Sequence, residues 1–349
     1  MHDWDHELSK SSILISGSCV DGGLASSLAK GFSEAGWAVH HFDDEASTQN
    51  FSKDFIGRCL NRFFWKIRAS KVQKLFISNA LKIKPDVLFI LKGFYYDIKT
   101  LKMIRQKLPH VKLVHFNPDN SFNTWHFGNS NAWIRKSIPY YDIHLTWGKF
   151  LISPLRRAGA QKIIYFPFGF DPSLHHPVLE LSLEEKKKYS SDISFVGSWD
   201  EEREYWLSHL LDYNIKIWGN GWDRAADSIQ AKWQKSEITG KNFSTVCCAS
   251  KINLNFIRRQ NLPAHNMRTF EIPASGGFML STRTEEQSQL FSEGSEIACF
   301  STPQELREKL DFYLRYAEVR VAMAKCAYDR VSRGSSYNHR VVQMESIMS

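Results

Sequence analysis

Residues 266–280 read Asn-Met-Arg-Thr-Phe-Glu-Ile-Pro-Ala-Ser-Gly-Gly-Phe-Met-Leu. The pattern predicts a short helix capped by Asn266, ended by its two glycines and followed by a buried strand, because asparagine caps helix starts and glycine tolerates the left-handed backbone that ends them. A helix start presents free N–H groups and a partial positive charge, which favour a phosphate. Arg268 adds a forked cation, and Glu271 adds an acceptor-only carboxylate that can take two ribose hydroxyls. On spacing alone, a nucleotide site and a plain surface helix fit this stretch equally well.

The same stretch resembles the nucleotide-sugar signature of GT-B glycosyltransferases, in particular the CgeB-like (spore-maturation type) group of the group 1 glycosyltransferase family. The matching residues are Arg268, Phe270-Glu271, Ser275-Gly276-Gly277, Asp192–Ser198, Trp218–Trp222, Glu296, Phe300, Pro303–Leu306, Ser336-Tyr337 and Arg340. The resemblance covers roughly residues 85–340. It implies an α/β fold of the GT-B type, with two Rossmann-like doubly wound domains that face each other across a cleft.

One departure from the family concerns the donor sugar. Many retaining GT-B enzymes carry a second glutamate eight positions before the ribose-binding one, and this chain has Pro263 there. CgeB-like sequences generally lack that glutamate too. The donor-sugar contacts and the stereochemistry of transfer therefore stay open.

Composition favours a folded, basic chain with two domains. The 349 residues are 43% hydrophobic and 23% charged, and the formal net charge is +8. A positive charge favours acidic partners: nucleotide diphosphates, anionic lipid or nucleic acid. Six cysteines without a CxxC spacing fit a reducing cytosol. No signal peptide and no run of about 20 apolar residues is recognised, so we expect a cytoplasmic protein with, at most, peripheral contact at the inner face of the membrane.

Two sets of alternating strands and helices predict two parallel sheets. The expected strands lie at 13–15, 37–39, 85–91, 111–116, 141–146 and 163–167 in the first set, and at 193–197, 215–219, 252–256 and 278–280 in the second. We expect an N-terminal acceptor domain over 1–169, a linker over 170–178, and a C-terminal nucleotide-sugar-binding domain over 179–349 whose last helix can cross back. Ligands of such sheets bind beyond the carboxyl ends of the strands.

The predicted donor site collects residues near the strand ends of the second domain. It comprises Gly197, Ser198, Arg203, Lys251, Asn253, His265, Arg268, Thr269, Phe270 and Glu271. Gly197 follows a buried strand, where the absence of a Cβ allows a diphosphate to approach the backbone. A plain turn glycine and a solvated basic loop, which includes Arg258 and Arg259, are the alternatives.

The predicted acceptor side lies in the first domain. Gly17, Asp21 and Gly22 form a glycine-rich loop after the first strand, which matches neither a dinucleotide fingerprint nor a P-loop. His115, Asp119 and Asn120 lie at or after the end of a buried strand, where a base can accept a sugar proton. We predict His115, Asp119 and Arg268 as catalytic residues. A satisfied core histidine and a turn aspartate are the structural alternatives.

No metal or other cofactor is expected. Asp3-Trp4-Asp5 and Asp43-Asp44 mimic the metal motif of the other glycosyltransferase fold, but they lie in the wrong context. Arginines and helix N–H groups are expected to neutralise the departing diphosphate instead.

Residues 58–77 alternate cations with large apolar residues at helical spacing. This pattern is typical of an interfacial helix drawn to anionic lipid, and equally of a core-packed helix with a basic solvent face. No nucleic-acid recognition module is apparent, so we expect no nucleic-acid partner.

The leading hypothesis is a metal-independent glycosyltransferase that moves a sugar from a nucleotide-sugar donor to an envelope or surface glycan, such as a polysaccharide or lipopolysaccharide core. The resemblance implies retention of configuration. The alternatives are a non-catalytic protein that binds nucleotide sugars or glycans, and a basic membrane-associated scaffold.

Overall fold

The computed structural model describes residues 11–46, 63–123 and 132–348. The chain forms two compact units. Unit 1 comprises Met1–Phe166 and Val341–Ser349, and unit 2 comprises Pro167–Arg340. Asp3 and Asp5, and the first five residues of the basic segment 58–77, lie outside the described residues.

Unit 1 is built on a six-stranded parallel sheet. Its strands are β1 Ser12–Ser16, β2 Ala38–Phe42, β3 Val87–Leu91, β4 Lys112–Phe116, β5 Ile143–Thr146 and β6 Lys162–Tyr165, in the order β2-β1-β3-β4-β5-β6. The all-apolar run Val-Leu-Phe-Ile-Leu of β3 is buried throughout, as expected of a central parallel strand covered on both faces. The chain reverses its direction of winding between β1 and β3, which makes their carboxyl ends the switch point of this sheet.

The described helices of unit 1 are α1 Leu24–Glu34, α2 Trp65–Ile83, α3 Ile98–Lys107, α4 Ala132–Ser137 and α5 Ile152–Arg157. Helix α2 carries most of the basic segment. It buries Ala69, Val72, Phe76 and Ala80, which lie on one face at helical spacing, so this face of the helix packs into the core of unit 1. Ile67 on the same helix remains 68% exposed.

Unit 2 contains a five-stranded parallel sheet. Its strands are β7 Ser191–Val196, β8 Ile215–Trp218, β9 Ser250–Asn255, β10 Met279–Thr282 and β11 Ala298–Phe300, in the order β11-β10-β9-β7-β8. Here the switch point lies between β7 and β9. The helices are α6 Leu183–Tyr189, α7 Glu201–Ser208, α8 Asp227–Gln230, α9 Lys241–Ala249, α10 Arg268–Ala274, α11 Glu285–Leu290, α12 Pro303–Arg315 and α13 Ala317–Ser332, and α14 Tyr337–Met348 continues from unit 2 into unit 1.

The predicted fold class is confirmed: both sheets are parallel and are flanked by helices. All ten predicted strands are present, within a few residues of their predicted limits. The three-residue strand β11 was not predicted. Within the described residues, no helix combines the length and the apolarity needed to cross a bilayer.

Candidate functional site

The signature stretch folds as helix α10, at the carboxyl edge of the unit 2 sheet. The cap position is Met267 and not the predicted Asn266, which lies one residue earlier and accepts the backbone N–H of Thr269 on its Oδ1 at 3.2 Å. At the other end, Gly276 adopts a φ of +76° and turns the chain toward β10. Gly277 passes so close to β9 that an added Cβ would lie 2.7 Å from Nδ2 of Asn253. The glycine pair is therefore explained by the helix end and by packing.

Glu271 is buried in this helix, with 3% of the residue exposed. Nη1 of Arg268 donates to its Oε2. Its Oε1 lies 3.9 Å from Nε2 of His175, beyond hydrogen-bonding range, and receives no hydrogen bond from any other part of the described chain. One carboxylate oxygen is thus held, and the other keeps its capacity to accept.

Arg268 lies between Glu271 and an aromatic ring. Its guanidinium carbon is 4.1 Å from the ring centroid of Phe243, which belongs to α9. About a third of the Arg268 side chain is exposed. The two residues expected to bind opposite ends of a nucleotide therefore form an ion pair with each other.

Two further arginines lie at the switch point between β7 and β9. Arg203 and Arg258 share the carboxylate of Asp200, at 3.4 and 2.8 Å. Burial and the neighbouring Arg258 cation lower the pKa of Arg203 to about 10, with a smaller contribution from Arg268. Nη1 of Arg203 also donates to the carbonyl of Ser198 at 2.6 Å. Arg203 and Arg258 thus form a cationic cluster over the strand ends.

Close backbone packing surrounds Gly197. An added Cβ would lie 2.8 Å from the ring of Phe195 and 3.3 Å from Arg203. The adjacent Gly219 has a φ of +132°, and a Cβ there would lie 2.2 Å from the carbonyl oxygen of Gly197. The need for glycine at 197 therefore follows from internal packing, whether or not a phosphate approaches.

Two predicted donor residues lie elsewhere. Lys251 is at the start of β9, on the amino edge of the sheet, where it pairs with Asp192 at 2.7 Å. It lines a separate cavity of about 460 Å³ there. Asn253 is inside the sheet, and its amide contacts Ser194, Cys247 and Phe278. Neither side chain reaches the site, because Lys251 lies at the opposite edge of the sheet and the Asn253 side chain is buried within it.

Three other predicted residues support α10 from within the core. Thr269 is fully buried and its hydroxyl accepts from Gln287 at 3.1 Å. His265 accepts the backbone N–H of Phe168 at 3.3 Å, and burial followed by Arg340 lowers its pKa to about 3. Phe270 packs against the ring of His265. These contacts favour structural roles.

His115 lies in the interior of unit 1, with 3% exposed. Its Nε2 donates to the carbonyl of Lys92 at 3.2 Å, and its Nδ1 lies 3.2 Å from Nδ1 of His144. Burial, with a smaller effect of His144, lowers the pKa of His115 to about 3. This environment favours the core-histidine alternative.

The other acceptor-side candidates occupy loops at the carboxyl edge of unit 1. Asp119 and Asn120 are half-buried after β4, where Oδ1 of Asn120 accepts from Phe122 at 2.9 Å. Asp21 is exposed and pairs with Lys30 at 3.5 Å. Gly22 has a φ of +76°, and a Cβ on Gly17 would press on Leu91 and Ala25 at 3.1–3.2 Å.

Asp43 and Asp44 follow β2 at the same edge. Asp43 accepts three backbone N–H groups and so closes a turn. Asp44 is buried, and burial together with Glu45 and Asp43 raises its pKa to about 7. Among the described residues, no group of three His, Cys, Asp or Glu side chains is arranged to hold a metal ion.

The sequence reasoning missed His175, Phe243 and Asp200. All three lie far from the signature in sequence, on the segment after unit 1, on α9 and before α7. Asp200 carried a usable signal, because it precedes Glu-Glu-Arg as a helix cap, and its Oδ1 accepts the N–H of Arg203. No local pattern marks the other two.

The comparisons with known proteins agree with this architecture. Residues 202–346 match the model of a family described as "Glycosyl transferase-like". No significant match is found among curated proteins. Sucrose-phosphate synthase from Thermosynechococcus elongatus is similar in structure, with a TM-score of 0.69, 11% identity, and coverage of 97% of this chain and 98% of that one. The fold is GT-B.

Two further solved structures share the GT-B fold. Anabaena HepE in complex with UDP is 11% identical, with a TM-score of 0.64 and coverage of 97% of this chain and 99% of that one. The lipopolysaccharide outer core galactosyltransferase WaaB, in its apo form, is 12% identical, with a TM-score of 0.52 and coverage of 95% and 99%. The family match in unit 2 and the fold together support a glycosyltransferase.

Proposed function

We propose that this GT-B protein is a CgeB-like glycosyltransferase that takes a sugar from a nucleotide-sugar donor bound in unit 2. The observation that carries the proposal is Glu271. It is a buried carboxylate at the carboxyl edge of a parallel sheet, held on one oxygen by Arg268 and able to accept at the other. An ionised carboxylate only accepts hydrogen bonds, so it suits ribose hydroxyls.

The proposed diphosphate site is formed by Arg258 and, behind it, Arg203. Arg203 stacks on Phe195 and donates to the Ser198 carbonyl, so Arg258 is the arginine that contacts the phosphate. The two arginines share a single carboxylate, Asp200, so the three groups keep one net positive charge. Transfer builds negative charge on the departing diphosphate, and preorganised cations stabilise that charge. Arginine donors supply here the charge that a metal supplies in other transferases, so we propose that transfer needs no metal.

UDP is the first nucleotide to test. HepE, which shares this fold, is described in complex with UDP. Position 263 is proline, so the glutamate that many retaining enzymes use near the transferred sugar is missing. The proposal of retention therefore rests on the family resemblance.

Unit 1 is the proposed acceptor domain. Asp119 follows the carboxyl end of β4 and is half-buried, which suits a group that contacts a sugar hydroxyl. WaaB, which shares the fold, is a lipopolysaccharide outer core galactosyltransferase. We therefore propose an envelope or surface glycan as the acceptor.

A thermal-shift panel of nucleoside diphosphates and nucleotide sugars, run in a chelator, tests the donor site. At 100 times its dissociation constant a ligand stabilises the folded state by about 2.7 kcal/mol. We expect a selective shift for the wild type and for Glu308→Ala, an exposed control glutamate in unit 2. Glu271→Ala is expected to lose it.

Turnover separates the enzyme from its alternative. Release of nucleoside diphosphate from the nucleotide sugar that gives the shift, in the chelator, supports a metal-independent transferase. Binding without release, with every acceptor offered, favours a non-catalytic binding protein. If the folded protein shows no thermal shift with any nucleotide or nucleotide sugar of the panel, the donor-site assignment is contradicted.

A further inference from the structure

Three side chains surround the Glu271 carboxylate. Arg268 contacts Oε2, His175 faces Oε1, and Phe243 packs against both Arg268 and His175, with ring centroids of Phe243 and His175 5.7 Å apart. The three come from separate parts of unit 2: α10, the segment before α6, and α9. The carboxylate is therefore held by Arg268 of its own helix, while His175 faces its free oxygen and Phe243 supports the arginine.

Two contacts fix the orientation of the Arg268 guanidinium. One face lies over the Phe243 ring, and one nitrogen donates to Glu271. A flat cation favours such stacking, and it is attracted by the ring face. Turning Arg268 outward to reach a phosphate would break both contacts.

His175 lies on the other side of the Glu271 carboxylate. Its Nδ1 accepts the backbone N–H of Asp171 at 3.2 Å, so the ring proton must be on Nε2, the atom that faces Glu271 Oε1. Burial lowers the pKa of His175, although Glu271 opposes this effect. A hydroxyl oxygen placed beside both atoms can accept from Nε2–H and donate to Oε1.

We infer that Arg268 is a positioning residue that holds the Glu271 carboxylate for the nucleoside and is not a phosphate ligand, and that His175 donates to the hydroxyl from which Glu271 accepts. The inference rests on the proposed function. It assigns the two parts of the donor, the nucleoside and the diphosphate, to different residues. Glu271, held by Arg268 and joined by His175, binds the ribose, and Arg258, backed by the buried Arg203, binds the diphosphate. This revises the expectation that Arg268 would bind the diphosphate.

Calorimetric titration with uridine and with UDP separates the two roles. Arg268→Ala is expected to weaken uridine and UDP by the same factor, about tenfold, as the loss of a charge-assisted hydrogen bond implies. Arg258→Ala is the matched control. It should weaken UDP by about tenfold and leave uridine within about twofold, because it removes a phosphate contact alone.

The inference is overturned if Arg268→Ala weakens UDP and leaves uridine unchanged. Phe243→Leu provides a second variant should Arg268→Ala not fold, because it removes only the ring face under the guanidinium. It is expected to show the same equal loss for uridine and UDP, and an unchanged uridine affinity contradicts the inference. His175→Phe, which removes the Nε2 donor, should likewise weaken both ligands equally.

A double-mutant cycle on thermal stability tests the support of Glu271 without any nucleotide. The losses in free energy of unfolding for Arg268→Ala and Glu271→Gln should not add up. The double variant should lose less than the sum of the two single losses. Additive losses contradict the positioning role. If the wild type binds neither UDP nor uridine, the proposed function is contradicted and Glu271 has no assigned nucleoside. The double-mutant cycle then decides by itself whether Arg268 positions Glu271.

Discussion

At the scale of single residues, Glu271 and Arg268 show which features of a site can be predicted from a local sequence motif and which cannot. The spacing of Arg268, Phe270 and Glu271, together with the family resemblance, predicts Glu271 as the ribose ligand, and the structure shows this carboxylate buried with one oxygen able to accept. The spacing was not enough to place Arg268, because the contacts of that guanidinium depend on Phe243, 25 positions earlier. A local pattern predicts that Glu271 is a candidate ligand residue, but the contacts of Arg268 depend on the tertiary structure.

Asp44 predicts a pH dependence of stability. Its pKa is about 7 in the folded state, against a usual value of 3.8. Between these values the folded chain retains a proton that the unfolded chain releases, so stability falls as pH rises from about 4 to about 7. Three pKa units correspond to at most about 4 kcal/mol. Asp44→Asn should therefore raise the free energy of unfolding at pH 8 and change it little at pH 4.

Asp43 is the matched control, with the opposite sign. Although burial opposes the effect, three backbone N–H donors lower its pKa. Its ionised form thus contributes stability that is present above the usual pKa and is lost as pH falls through the folded pKa. Urea unfolding of Asp44→Asn and of Asp43→Asn at pH 4, 6 and 8 checks this. A stability gain for Asp44→Asn that is equal at all three pH values would contradict the buried-carboxylate account.

At the scale of elements, the sheets were more predictable than the site. Strands such as Val87–Leu91 are continuous apolar runs, which only a sheet covered on both faces buries. Strand β11 was missed, because three residues are too few to show a period. Lys251 was misplaced for another reason: its strand was found, but the residue lies at the start of that strand.

The tight turn beside the arginine cluster predicts an unequal response to alanine. Gly219→Ala and Gly294→Ala both force a positive φ on a side chain, which costs about 1–2 kcal/mol. At Gly219 the new Cβ would also lie 2.2 Å from the Gly197 carbonyl oxygen, whereas a Cβ added at Gly294 would meet no described atom within 4 Å beyond its chain neighbours. Gly219→Ala should therefore destabilise more and displace the backbone that carries Ser198.

Urea unfolding and UDP titration check this pair. We expect Gly294→Ala to bind UDP like the wild type, and Gly219→Ala to bind it at least about tenfold more weakly, since a displaced loop costs at least one contact of about 1.4 kcal/mol. Equal stability losses for the two variants would show that steric contact at Gly219 is relieved without cost.

At the scale of the whole molecule, the net charge of +8 predicts attraction to acidic surfaces. Helix α2 adds exposed Ile67 beside Lys66, Lys71 and Lys74, and exposed Phe63 lies two residues before the helix. We propose peripheral membrane contact here, through the described part of the segment 58–77. Binding to anionic vesicles should exceed binding to neutral vesicles and fall with salt, since surface cations near anionic lipid contribute about 1 kcal/mol each.

A variant with Ile67→Ser, Lys71→Gln and Lys74→Gln should bind anionic vesicles more weakly in cosedimentation. The control carries Lys186→Gln and Lys187→Gln on α6 of unit 2, which removes two cations from another surface. Equal losses for the two variants would assign the attraction to the overall charge and not to α2.

The central claim is that Glu271 binds the nucleoside of a nucleotide-sugar donor. Its most direct test is calorimetric titration of UDP into the wild type and Glu271→Gln, an uncharged substitution of the same shape. The account predicts saturable binding to the wild type and an affinity about 10- to 100-fold lower for the variant, as the loss of hydrogen bonds to a charged group implies. Equal UDP affinity for the two folded proteins would contradict it.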